Sequence, residues 1–142
     1  MAVNITQQAD ASAGLQGTDG DTGAFIFVNI PYNTTTPLTM SGCVLTRRAI
    51  VKSIVLNPDV AASNAVTVSA FKAPSATALG SGTVLHSGTG NLQGTAGTNI
   101  LPTLSVVSGA LDCAANTRVG IVISGALGAA GSGIVTIALC PA

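Results

Sequence analysis

The sequence predicts an all-β protein, an antiparallel β-sandwich of the jelly-roll or Greek-key type. Two observations support this prediction. Short runs of β-branched and other apolar residues recur along the chain, with glycine- or proline-containing turn signals between them. No window supports a helix of useful length, because glycine and β-branched residues are frequent and strong helix formers other than alanine and leucine are scarce.

Seven segments are predicted to be strands: 24–31, 47–58, 65–73, 83–87, 100–107, 117–124 and 133–139. The clearest is 65–73, where apolar residues alternate with Thr67, Ser69 and Phe71. This period of two is typical of a half-buried strand. The segment 117–124 has a similar apolar face, formed by Val119, Ile121 and Ile123.

Proline and turn residues predict where several strands end. Pro31 is expected to end the first strand, because proline has no backbone N–H to donate to a ladder. Residues 33–43 are interpreted as a turn-rich link, and 57–59 (NPD) as a turn. Pro102 is expected to place the start of 100–107 at a sheet edge.

Residues 1–23 are predicted to form a flexible N-terminal arm, and residues 24–142 a single β-sandwich domain. The arm is polar and shows no sustained period of 2 or 3.6, so it has too little apolar surface to order itself. Ile5 and Leu15 are its candidate contacts with a partner, because they are large apolar side chains in a polar segment. We expect the arm to order by adding a strand to a neighbouring sheet edge.

The charge content argues against nucleic acid and favours assembly. Only 7% of residues are charged and the formal net charge is zero. Phosphate binding needs clustered basic residues, and only Arg47, Arg48 and Lys52 lie close together in the sequence. A neutral surface gives little repulsion between copies. Arg47 and Arg48 are interpreted either as a solvated strand end or as contacts to an acidic neighbour in an assembly.

No membrane-spanning segment is predicted. The longest apolar run, residues 120–142, is interrupted by five glycines and by serine and threonine. A spanning helix needs about 20 predominantly apolar residues. This run is therefore interpreted as two strands joined by a loop.

No catalytic, cofactor or metal site is predicted. The glycine-rich residues 80–99 lack the lysine of a phosphate-binding loop, and no helix is predicted to follow them. His86 is interpreted as a strand histidine whose ring packs or meets solvent. Asp19 and Asp21 lie in GTDGDTG, which resembles part of a calcium loop but lacks its closing glutamate, so an Asp-Gly turn is expected.

The three cysteines are not expected to bind zinc. Cys43, Cys113 and Cys140 are widely spaced, and no CxxC motif is present. Reduced thiols are the simplest expectation, and a disulfide pair with one spare thiol is the alternative.

Residues 24–140 resemble, in composition and in their pattern of predicted strands, the decoration (cement) proteins of tailed-bacteriophage capsids. The resemblance rests on two segments, residues 47–88 and 110–139, and on the low charge, the Ala/Gly/Ser/Thr/Val composition and the polar arm. Such proteins are commonly trimeric β-sandwiches or jelly rolls bound where capsomers meet on the outer shell. The resemblance therefore implies a non-enzymatic virion protein, with the major capsid protein as partner and a homotrimer as the favoured oligomer.

Three other classes are weighed against this one. A phage fibre, spike or tail component should show internal repeats or an elongated region, and no internal period is present. A carbohydrate-binding β-sandwich usually presents aromatic platforms, whereas the phenylalanines here are expected inside strands. A hydrolase is disfavoured by the few acids, the single histidine and the lack of a positioned nucleophile.

Overall fold

The computed structural model describes residues 24–33, 39–88, 90–125 and 130–142, and all the regular structure there is β-strand apart from one 3₁₀ turn. The predicted arm lies outside the described residues. The elements in chain order are β1 (Ile26–Asn33), β2 (Thr39–Val44), β3 (Ala49–Val60), β4 (Val66–Ala73), the 3₁₀ turn η1 (Leu79–Ser81), β5 (Thr83–Val84), β6 (Gly90–Asn91), β7 (Asp112–Cys113), β8 (Arg118–Gly125) and β9 (Ser132–Pro141).

The strands form two antiparallel sheets. One has the order β1-β9-β3-β7, and the other has the order β2-β8-β4-β5, with β6 also pairing with β4. Consecutive strands from β1 to β4 alternate between the sheets. The last two strands then insert between them: β8 pairs with both β2 and β4, and β9 pairs with both β1 and β3. This order is that of a jelly-roll sandwich, which confirms the predicted all-β sandwich.

The core lies between the sheets and is built by alternation along each strand. In β1, Val28, Ile30 and Tyr32 are buried while the residues between them are exposed. The predicted alternation in β4 and β8 is confirmed, since these inward side chains are buried: Val66, Val68, Ala70, Val119, Ile121 and Ile123. β3 and β9 complete the core with Ile54, Leu56, Val135, Ile137 and Leu139.

Three predictions about strand ends and links are wrong, because strand pairing continues across residues that locally favour a turn or a strand end. β1 continues through Pro31 to Asn33, since an edge strand can turn a missing N–H away from its partner. β3 continues through 57–59 to Val60, because a register shift between Pro58 and Val60 accommodates the extra residue and pairing with β9 resumes after it. The segment predicted as a link contains β2, whose Thr39–Val44 pair with β8.

The predicted strand at 100–107 is also wrong. Its residues form isolated bridges only, Ile100 with Leu56 of β3 and Leu104 with His86 beyond β5. The segment therefore contacts first one sheet and then the other, so that it pairs continuously with neither. Only Thr83–Val84 of the predicted 83–87 strand is regular.

Candidate functional site

The outward face of the β1-β9-β3 sheet is uncharged along three cross-strand rows. From β1 through β9 to β3, these rows are Phe27–Ala138–Ser53, Asn29–Thr136–Val55 and Pro31–Ile134–Asn57. The Thr136 hydroxyl donates a hydrogen bond to Asn29 Oδ1 at 2.8 Å across this surface. We call these nine residues the neutral face. Lys52 lies in the bulge between Val51 and Ser53 and belongs to none of the rows.

Next to Phe27, a second exposed phenylalanine, Phe25, extends the neutral face at its edge. Phe27 is 63% exposed and Phe25 is 49% exposed, and their rings stack with centroids 6.0 Å apart. Phe27 lies inside β1, as expected of the phenylalanines, but its ring faces outward, and Phe25 lies just before the strand. The alternation of β1 decides this: Val28 and Ile30 face the core, so Phe27 must face outward.

The outward face of the other sheet is covered by η1. Leu79 of η1 is buried, and its side chain lies where Gly120 of β8 has no side chain. A Cβ placed on Gly120 would lie 2.6 Å from Leu79 Cδ2 and 2.3 Å from the Met40 carbonyl oxygen. Among the described residues, the two sheets thus differ, because η1 covers part of one outward face and no segment covers the neutral face.

A crossover segment, residues 99–111, closes one open side of the sandwich. Its Ile100 exchanges backbone hydrogen bonds with Leu56 at 2.8 and 2.9 Å, and Val51 N donates to Leu111 O at 2.9 Å. Between these anchors, its Leu104 packs on the core. Its outer side presents three exposed aliphatic side chains: Leu101 (67%), Val106 (89%) and Val107 (67%).

The only histidine of the chain supports the fold from the interior. His86 is 3% exposed, and its Nε2 accepts a hydrogen bond from Ala70 N at 3.0 Å. This contact assigns the ring proton to Nδ1, which lies 3.5 Å from Ser87 O. Both ring nitrogens therefore face backbone groups rather than a cleft that a substrate could enter.

The predicted partner-contact residues do not converge on one site. Ile5 and Leu15 lie outside the described residues. Arg47 is exposed, and Arg48 forms a bidentate pair with Asp112, with both N–O distances 2.8 Å. This pair joins the turn before β3 to β7 within the chain. The contact of Arg47 and Arg48 with an acidic neighbour stays a prediction.

The described residues group no three metal-ligating side chains that could hold an ion. Cys43, Cys113 and Cys140 are free thiols there, and burial raises the pKa of both Cys43 and Cys113. Within the same ranges, no helix has the length and hydropathy needed to cross a bilayer.

Sequence reasoning missed the exposed surfaces, since it expected the phenylalanines inside strands and did not assign Phe25 or Phe27 to an outward face. The available signal was the alternation in residues 25–30, where isoleucine or valine occupies positions 26, 28 and 30 and leaves Phe27 and Asn29 to the opposite face. The exposed Val106 had no such signal, because its position depends on the path of the crossover segment between the sheets.

No family model and no curated protein matches the chain. Among solved structures, the chain is similar to one from the structure titled "Cyanophage Pam1 capsid asymmetric unit", with a TM-score of 0.48 and 16% sequence identity. The alignment covers 96% of this chain and 99% of that chain.

Proposed function

We propose that this chain is a non-enzymatic structural protein of a bacteriophage virion, which binds the outer surface of the capsid and stabilises it. The observation that carries the proposal is the neutral face: an uncharged sheet surface that no described segment covers, edged by the stacked Phe25 and Phe27. Protein interfaces are depleted in charge at their centres and enriched in aromatic residues. A protein partner is therefore the occupant that suits this surface best.

The absence of enzymatic activity is part of the proposal. The single histidine is occupied by Ala70 N, and Asp112 is paired with Arg48. An acid–base or nucleophilic mechanism needs a free, positioned pair of groups in a cleft. His86 and Asp112 instead make structural contacts, with the backbone of Ala70 and with Arg48.

The partner we propose is the major capsid protein, and the oligomer we favour is a homotrimer. A trimer would place three neutral faces around one axis, so that weak contacts reinforce one another through multivalency. In each copy, the sheet that faces away from the shell would be the one on which η1 packs. Both assignments follow from the resemblance described in the sequence analysis, and the copy-number experiment below tests the association with the virion on which they depend.

The first experiment is a copy-number measurement on purified particles from the source lysate. The amount of this chain is compared with that of the most abundant shell protein by quantitative mass spectrometry. Hundreds of copies in a simple ratio to the shell protein support a decoration protein. A handful of copies indicates a fibre, spike or tail component, and no copies contradict the virion assignment.

A surface variant then tests the neutral face. Phe27→Asp should lower binding to capsids by about tenfold or more, because an unpaired charge would be buried in the interface. Val84→Asp is the matched control, since Val84 is exposed on β5 of the other sheet. Equal binding of the two variants and the wild-type chain would show that the neutral face is not the contact.

A carbohydrate-binding module is the second candidate, and one observation favours it. Phe25 and Phe27 stack with an interplanar angle of 26° at the start of the edge strand β1, and their exposed rings offer aromatic surface to a sugar ring. Affinity electrophoresis in polysaccharide-containing gels separates the two candidates. Retardation that is lost in Phe27→Ala supports sugar binding, and migration unaffected by polysaccharide supports the structural protein.

A further inference from the structure

A cavity of about 390 Å³ lies at one end of the β2-β8-β4 sheet. It is lined by Val44, Ser75, Ala76, Asn116 and Arg118. Val44 ends β2 and pairs with Arg118, which begins β8, while Ser75 and Ala76 follow β4. The cavity is therefore built where three neighbouring strands meet their connecting turns.

The cavity carries one positive charge and its lining contains no acid. Arg118 donates one guanidinium N–H to the carbonyl oxygen of Thr77. No carboxylate among the described residues lies within salt-bridge distance of Arg118, since the ion pair found there joins Arg48 and Asp112. A guanidinium has five N–H donors in a planar fork that fits a carboxylate.

The backbone on both sides of the cavity is held in an uncommon conformation. Ala76 and Asn116 have φ values of 69° and 67°, and they are the non-glycine residues with positive φ in the described chain. Such a conformation is costly for alanine in particular. The surrounding fold thus holds both turns that line the cavity beside Arg118 in this conformation.

The charges of the chain are divided between its two predicted parts. Residues 24–142 contain all five basic side chains but only two acidic ones, for a formal charge of +3. Residues 1–23 contain the other three aspartates and no basic side chain, for a formal charge of −3. The acids that match the unpaired cations of the sandwich are therefore in the N-terminal segment.

The N-terminal segment joins the sandwich at the same end as the cavity. Ile26, the first residue of β1, is level with Leu139 and through it with Val51 near the start of β3. Only four residues connect Val44, at the cavity, to that start of β3. An extended chain covers about 3.3–3.6 Å per residue, so Asp21 can lie up to about 17 Å from Ile26. Two packed sheets are about 10 Å apart, and Arg118, which precedes the buried Val119, lies on the outward side of its sheet. Asp19, seven residues before Ile26, reaches about 24 Å by the same measure, which leaves more than half of its length to pass the edge strand β2 to that side.

We infer that an aspartate of the acidic GTDGDTG stretch, Asp19 or Asp21, docks its carboxylate in this cavity on Arg118 of the same chain. The cavity supplies the guanidinium fork for the carboxylate and the Asn116 and Ser75 side chains for neighbouring polar groups. The inference concerns the free chain and stands independently of the proposed function.

The test is cleavage of the full-length chain by endoproteinase Asp-N, which cuts before aspartate. Docking should slow cleavage at Asp19 and Asp21 relative to Asp10, which serves as the internal reference. Arg118→Gln should raise the Asp19 and Asp21 rates by about fivefold, because cleavage follows the undocked population and a charge-assisted pair is lost. Arg47→Gln is the matched control, since it removes the same charge from an exposed arginine.

Two further measurements keep the test decisive if Arg118→Gln folds poorly. High salt should raise the Asp19 and Asp21 rates of the wild-type chain, because screening weakens the pair. The protection should be independent of protein concentration, and protection that grows with concentration would overturn docking within one chain. Equal cleavage at Asp10, Asp19 and Asp21 in the wild-type chain at low salt would overturn the inference altogether.

Discussion

The imidazole of His86 accepts a hydrogen bond at 3.0 Å from the backbone N–H of Ala70, a buried residue in the middle of β4. The carbonyl of the same Ala70 accepts from Leu85 N at 2.9 Å. The side chain of His86 therefore continues a ladder that the backbone leaves incomplete, because β5 itself ends at Val84. The histidine acts as a structural acceptor in place of a missing strand residue.

The first prediction follows from that contact. His86→Leu should lower the free energy of unfolding by about 1–3 kcal/mol, because the buried Ala70 N–H loses its acceptor. His86→Gln retains an acceptor and should lose less. Chemical denaturation monitored by circular dichroism gives both values. A His86→Leu variant as stable as the wild type would show that the contact contributes nothing.

The second prediction concerns Tyr32, the only tyrosine of the chain. Burial of the phenol, with the negative charge of Asp59 adding to it, raises the pKa of Tyr32 from 10.0 to about 12. Between these two values the unfolded tyrosine loses its proton while the folded one keeps it. Stability is therefore intact below pH 10 and is lost as the pH rises toward 12. The ultraviolet absorbance of the phenolate follows this one residue.

Tyr32→Phe is the control for that titration. The Tyr32 hydroxyl is buried and has no hydrogen-bond partner among the described residues, so its removal should not lower stability at neutral pH. The variant should also lose stability less steeply between pH 10 and 12. A wild-type phenolate that forms at pH 10 while the protein stays folded would contradict the buried position.

The third prediction compares two glycines near η1. Gly120→Ala should lower stability by about 1–3 kcal/mol or more, since the new Cβ would collide with Met40 O and with Leu79 Cδ2. Gly80→Ala should be nearly neutral, because its Cβ would meet only Val122 Cγ2 at an ordinary 3.6 Å. Thermal denaturation of both variants measures the difference, and similar melting temperatures would argue against the tight packing of η1 on β8.

The fourth prediction concerns the Arg48–Asp112 pair. Hydrogen bonds from Arg48 lower the pKa of Asp112 below its ordinary value of 3.8. The stabilisation is therefore present above that ordinary value and is lost as the pH falls through the lower folded value. Asp112→Asn should be slightly less stable than the wild type at neutral pH, with the difference vanishing in acid. Asp59→Asn is the control, and the same acid dependence in both variants would contradict the assignment to this pair.

The sequence by itself determined the fold class and the strongest core strands. In β4 and β8, alternation alone predicted which side chains face the core, because a strand turns every second residue to the same side. Local signals failed where pairing with a distant segment outweighed them. Pro31 is tolerated because β1 lies at an edge, and β2 forms because β8 offers it a ladder.

Only the tertiary structure decided which surfaces are available to a partner. The sequence does not show that η1 packs on one sheet while no described segment packs on the neutral face, since the position of η1 depends on Leu79 contacting the backbone of Gly120. Nor does it show that Arg118 lies in a cavity at the end where β1 begins. Both features join residues far apart in the chain, and the antiparallel register that brings them together is set by the packing of the whole sandwich.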